Sequence, residues 1–88
     1  MQFIRYRGTE TLSFRQLDEL NDLPKGSSFR VFKRHKAVLE EGRDYFYLPA
    51  EEHPQLIERL RREGLIYGST VHLVLITRSG YKKLNATG

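Results

Sequence analysis

Arg30, Lys33, Arg34 and Lys36 fall within a seven-residue span. Residues three and four apart share one side of a helix, so these cations can form a single face. Arginine offers a planar fork that matches guanine edges and phosphate oxygens, whereas lysine is a flexible point charge. Exposed on a helix with an apolar back, they can bind a polyanion. Lys25, Ser27 and Ser28 stand just ahead of them, and Ser69 and Thr70 sit in a predicted turn where their hydroxyls could touch sugar or phosphate. These nine residues are the candidate contacts.

Charge distribution agrees with that chemistry. The net charge is +4, and residues 23 to 39 carry five basic residues and no acid, as residues 65 to 88 carry three and no acid. Clustered positive charge is the footprint of an anionic partner.

Catalytic chemistry has little to draw on. With no cysteine there is no thiol nucleophile, no thiolate metal site and no disulfide, which fits a reducing compartment. His35, His53 and His72 fall on different elements at spacings with no metal-site pattern. Ser13, Ser27 and Ser28 read as helix caps, and the Glu40/Glu41 and Glu51/Glu52 pairs point apart on their elements. No glycine-rich phosphate loop follows a strand, so neither catalysis, a cofactor, a metal nor a small-molecule substrate is expected.

The elements that must position these residues can be read from their patterns. Eighty-eight residues make one small domain. MQFIRYR reads as a strand ended by Gly8 and Thr9. Ser13 and Gln16 have capping-box spacing, with Leu12 and Leu17 at hydrophobic-staple positions, which predicts a helix over 14–21 with Phe14, Leu17 and Leu20 inward. NDLPKGSS is a turn whose serines offer the next cap. A second helix is predicted from Phe29 to about Glu41, and Gly42 fits the position just past its end. At about 100° per residue, Phe29, Phe32, His35 and Leu39 fall on its inner side. Arg30, Lys33, Arg34 and Ala37 fall outside, with Lys36 at the border. DYFYL is a strand, and residues from Pro54 to Gly64 form a helix with Leu56, Ile57 and Leu60 inward. There, Glu58 and Glu63 can pair with Arg59, Arg61 and Arg62. LIYGSTVHLVLIT reads as a hairpin with its tip at Gly68 and Ser69, and Thr77 or Ser79 caps a last helix carrying Tyr81 and Leu84. The expected fold class is α+β, a small winged helix-turn-helix-like domain with a short antiparallel sheet.

Three segments carry a resemblance to a known family. LSFRQLDELNDLPKG resembles the opening helix and turn of the "ORF-six N-terminal" domain of phage antirepressor-like regulators, a family related to the KilA-N and BRO-N modules. FKRHKAVLEEGRDYF resembles its central helix, Glu-Gly turn and Asp-Tyr-Phe strand, and LVLITRSGYKKL its closing strand and Thr-x-x-Gly turn. The resemblance runs from about Arg7 to Leu84. It implies an N-terminal domain of a phage or prophage regulator that binds duplex DNA in the cytoplasm. Arg30, Lys33, Arg34 and Lys36 then fall on the helix that meets DNA, and Phe32, Leu39, Tyr45 and Phe46 on its packing positions. Where the family often has a histidine, an asparagine and an acid, this chain has Asn21, Val31 and Arg78, which bears on target sequence rather than fold. Family members continue into another helix near Gly88, so an oligomerisation element or protein partner would belong to a missing C-terminal part.

Two other readings follow from the apolar residues. A protein-interaction module that binds a repressor without touching DNA would present an exposed apolar patch, with Tyr47, Ile66 and Val74 as candidates. An RNA-binding module would stack unpaired bases on Tyr45 and Tyr47. The longest apolar run, Leu73 to Ile76, is far short of a membrane span, and MQFIRYRG lacks a signal-peptide core, so a soluble cytoplasmic protein is expected.

Overall fold

The computed structural model describes residues 2–87, with side chains described through residue 85. Met1, placed in the first strand by the sequence pattern, lies outside the described residues. The chain opens with a hairpin, β1 (Ile4–Tyr6) and β2 (Thr9–Leu12), followed by α1 (Phe14–Leu20) and α2 (Ser27–His35). A 3-10 turn (Lys36–Val38), β3 (Tyr45–Leu48), α3 (Pro54–Arg62), β4 (Leu73–Thr77) and α4 (Arg78–Thr87) complete it.

The four strands form one antiparallel sheet in the order β1-β2-β4-β3. β4 lies inside the sheet and is buried on every residue, because helices cover both faces. Its side chains alternate between two cores, as strand geometry requires. Val74 and Ile76 join Leu12, Leu17, Phe32, Leu39, Tyr45 and Leu84 on the face covered by α1, α2 and α4. Leu73 and Leu75 join Ile4, Leu48, Ile57, Leu60 and Ile66 on the face covered by α3.

The α+β class and the short antiparallel sheet are as the sequence predicts, but the hairpin is in a different place. Residues 65–72 form no strand; Tyr67 O accepts a hydrogen bond from Thr70 N at 3.0 Å, and the segment crosses the surface as a loop. The observed hairpin is β1–β2, closed by Arg7 and Gly8 at φ of 51° and 74°. Two consecutive residues at positive φ make the tight loop whose twist matches the flanking strands.

The second helix is also shorter than its apolar period suggests. It ends at His35, the 3-10 turn follows, and Leu39 is already extended at φ −101°, ψ 144°. The Asp44 carboxylate takes the Glu40 amide at 2.9 Å and gives the backbone an alternative to another helical turn. Gly42, at φ 91°, therefore serves the 40–45 turn and not a helix end. In α1, Ser13 and Gln16 form the predicted capping box. Leu17 is buried but Leu20 is 47% exposed, and Gln16 and Asp18 take the inward positions instead. Leu20, in the last turn of this seven-residue helix, lines an open groove with Phe3, Leu12, Ile76 and Tyr81.

Candidate nucleic-acid interface

Phe32 fixes the orientation of α2. Its buried ring meets Phe14 at 5.3 Å and stands edge-on to Tyr45 at 5.0 Å between centroids, which locks one side of the helix onto the sheet. The opposite side therefore faces solvent. Arg30, Lys33 and Arg34 are exposed there, with Lys25 before the helix and Lys36 after it. Among the described residues none of these five cations takes part in an ion pair. Arg5, Arg15, Arg43, Arg59 and Arg61 behave differently, each lying within 4.0 Å of a glutamate. The α2 cations thus form a face without internal neutralisation.

The start of α2 is built by α1. Gly26 occupies the cap position at φ 91°, where only glycine is unstrained, and has no side chain to offer. Asp18 substitutes from across the turn: Oδ2 accepts the Gly26 N–H at 3.0 Å and Oδ1 the Ser28 N–H at 2.8 Å. The Tyr67 hydroxyl donates to Oδ2 as well. Burial opposes the charge on Asp18, but the hydrogen bonds from Tyr67, Ser28 and Gly26 outweigh it and hold the carboxyl below its ordinary range. Burial, with the Asp18 hydrogen bond and negative charge behind it, pushes the Tyr67 phenol up to about 12.

This arrangement corrects the roles of two serines. Ser28 is only 7% exposed and its amide is bound to Asp18, so it is neither a cap nor an available contact. Ser27 is half-buried and donates its hydroxyl to Pro24 O at 2.7 Å, while its Oγ accepts from Arg30 Nη2 at 3.4 Å. It orders the turn and an arginine beside it.

Ser69 and Thr70 are not at a hairpin tip, yet the loop that carries them lies beside α2. Arg61 pins that loop through Gly68 O at 3.2 Å and Thr70 O at 2.5 Å, while pairing with Glu58 at 2.7 Å. Arg59 pairs with Glu63 at 3.8 Å, so two of the three α3 arginines pair as the sequence suggests, while Arg62 takes part in no ion pair among the described residues. Lys25 Nζ stands 5.0 Å from the Tyr67 ring centre and spans the gap between loop and turn. Between them is a cleft of about 390 Å³ lined by Lys25, Phe29, Ser69 and Thr70 among others.

Phe29 departs from its predicted inward placement. It is 45% exposed at the edge of α2, in contact with Phe14 at 5.5 Å, and Lys33 Nζ lies 5.3 Å from its centre. The helix presents an aromatic ring within its basic face.

A second buried carboxylate organises the opposite end of this layer. Asp44 accepts from Glu40 N, from Ser79 Oγ and from Lys83 Nζ at 2.7 Å. Burial raises its pKa and these partners lower it, with a net result of about 2. Thr77, which caps α4 through Gly80 N at 3.2 Å, also donates its hydroxyl to Arg43 O and Asp44 O. Gly80 packs so closely on the Asp44 backbone that a Cβ would sit 2.0 Å from the carbonyl oxygen. Nothing in the sequence pattern announces Asp18 or Asp44, because their partners are remote in the chain.

The apolar candidates divide. Ile66 and Val74 are core residues and form no exposed patch for a protein partner, and Tyr45 is buried against Phe32 with no free ring face for an unpaired base. Each faces a covered side of the sheet or its connecting loop. Tyr47 is exposed and its ring lies tilted against that of His72 at 6.0 Å between centroids. His72 also accepts the Ala50 amide at 3.1 Å. His53 packs edge-on to Tyr6. Among the described residues no group of three or more histidine, aspartate or glutamate side chains is placed to hold a metal ion. No described helix is long and apolar enough to cross a membrane.

No family model matches the chain, and no curated protein or solved structure is significantly similar to it.

Proposed function

We propose that this domain binds duplex DNA without catalysis, with α2 as the reading helix, as the N-terminal domain of an antirepressor-like regulator of phage or prophage type that works in the cytoplasm. The observation that carries the reading is the clustering of five exposed cations on and beside α2, none of them in an ion pair among the described residues. A face of free arginine and lysine on a helix held at its back by Phe32 has what groove entry requires. Arg30, Lys33 and Arg34 are the leading contacts, and Lys25 and Lys36 bind flanking phosphates. Ser69 and Thr70 take the place that a wing would occupy, from a loop and not from a hairpin. Reversing Lys33 and Arg34 to Glu tests the proposal: duplex binding should be lost in a chain that melts as the parent does. Undiminished affinity in a folded double variant would put the interface elsewhere.

A protein-binding reading draws on one specific feature. Phe3 and Leu20, 44% and 47% exposed, line an apolar groove of about 290 Å³ together with Tyr81. A repressor docked there would be lost on Leu20→Asp with DNA binding intact, whereas the DNA reading needs no partner on that side.

A further inference from the structure

The cleft beside the first turn of α2 is too apolar in its lining to serve only as a phosphate contact. Its inner wall is formed by Phe14, Ile66, Leu73 and Val74, all wholly or partly buried, and Tyr67 closes one side. Phe29 and Val71, 45% and 62% exposed, stand at its mouth. Two cations, Arg15 and Lys25, belong to the lining and no carboxylate does. At the rim, the hydroxyls of Ser69 and Thr70 have no hydrogen-bond partner among the described residues. The volume, about 390 Å³, is in the range that encloses a small ligand.

Aromatic and aliphatic walls, unused hydroxyls at the edge and cations outside match one chemical object. An unpaired nucleobase has an apolar face for Phe29 and the wall, hydrogen-bonding edges for Ser69 and Thr70, and a phosphate for Lys25. A base stacked in a duplex has both faces covered and cannot enter. We propose that the cleft seats one unpaired base of a DNA strand whose neighbouring phosphates lie on Lys25 and on the outer face of α2. This rests on the DNA reading above and extends it to strands with a bulge, an end or an extruded base. A free nucleotide would lack the neighbouring phosphates that α2 is placed to hold.

The test is fluorescence anisotropy at fixed salt with the intact chain, using a matched duplex and the same duplex with one unpaired thymidine bulge. Thymidine monophosphate is added as a competitor. The bulged duplex should bind about tenfold or more tightly, because its base needs no unstacking. Phe29→Ala should weaken the bulged complex about fivefold or more, in line with the loss of one base–aromatic stack. Val71→Ser, at an exposed position that cannot unfold the chain, should weaken it about twofold. Val71→Ser, which lies off the cation face of α2, should change matched-duplex affinity by less than about twofold. Equal affinity for the two duplexes, or a bulge preference untouched by both variants, would overturn the proposal while leaving the DNA reading standing. Competition by the monophosphate as strong as that of the bulged duplex would make this a free-nucleotide site and also overturn it. Failure of both duplexes to bind would remove the DNA reading itself.

Discussion

Asp18 on α1 accepts the Ser28 amide of α2 at 2.8 Å, so the first helix caps the second. The same carboxylate takes the Gly26 amide and the Tyr67 hydroxyl, and thereby ties the basic helix, the turn before it and the 66–72 loop to one buried charge. The geometry of the proposed interface depends on this group although it touches no ligand.

Asp18→Ala would leave two amides and a phenol without their acceptor. The expected loss is about 2 to 3 kcal/mol, the sum of a missing cap and a missing charged hydrogen bond. Tyr67→Phe removes one of the three bonds and should cost about 1 kcal/mol. Urea denaturation of both variants measures the difference, and equal losses would contradict the placement of the cap.

Acid should destabilise the domain in a defined direction. Asp18 and Asp44 both have folded pKa values below their ordinary ones, so the folded chain binds fewer protons than the unfolded chain in acid. Their stabilisation is complete above the ordinary aspartate range and is lost as pH falls toward the folded values, about 2 for Asp44. Asp44 alone should account for about 2 kcal/mol across that window. Denaturation midpoints measured from pH 5 downward should fall in the parent chain and fall less in Asp44→Asn.

Phe32 and Phe29 share a helix and should respond very differently to truncation. Phe32→Ala opens a cavity between α2 and β3 and should cost about 3 to 5 kcal/mol. Phe29→Ala removes a half-exposed ring and should cost about 1 kcal/mol. Thermal unfolding of the two variants checks the phase of the helix.

Gly80→Ala places a methyl 2.0 Å from the Asp44 carbonyl oxygen, a backbone atom that cannot swing aside. The start of α4 must then separate from the 40–45 turn, with an expected loss of about 3 kcal/mol or more. Chemical denaturation reads it directly, and a stability like that of the parent would mean that the two segments are not in contact.

What could be read from the sequence was what depends on near neighbours. Ser13 and Gln16 close their box within one helical turn, Phe32 follows the helical period, and Leu56, Ile57 and Leu60 mark the face of α3 without ambiguity. Leu65 to Tyr67 resembles a strand by composition, but Ile66, with Leu65 packed beside it, anchors a loop in the α3-side core. The true hairpin was obscure because β1 and β2 are three and four residues long and its Arg-Gly loop is a weak signal. Asp18 and Asp44 look like surface acids until the fold brings partners from 49 and 39 positions away to them. The exposed cations of α2 were legible from charge and helical period. The loss of Ser28 to the cap and the exposure of Phe29 were not, since both follow from how α1 meets α2.

The most direct test of the central claim is a backbone amide NMR titration with a random-sequence duplex at two salt concentrations. Shifts confined to residues 25–36 and the 66–72 loop, weakening with salt, are the predicted result. With about five phosphates neutralised, log K should fall against log[salt] with a slope of roughly −4 to −5. An unchanged spectrum at low salt, or shifts confined to the groove around Phe3 and Leu20, would contradict the assignment of α2 as a DNA-binding helix.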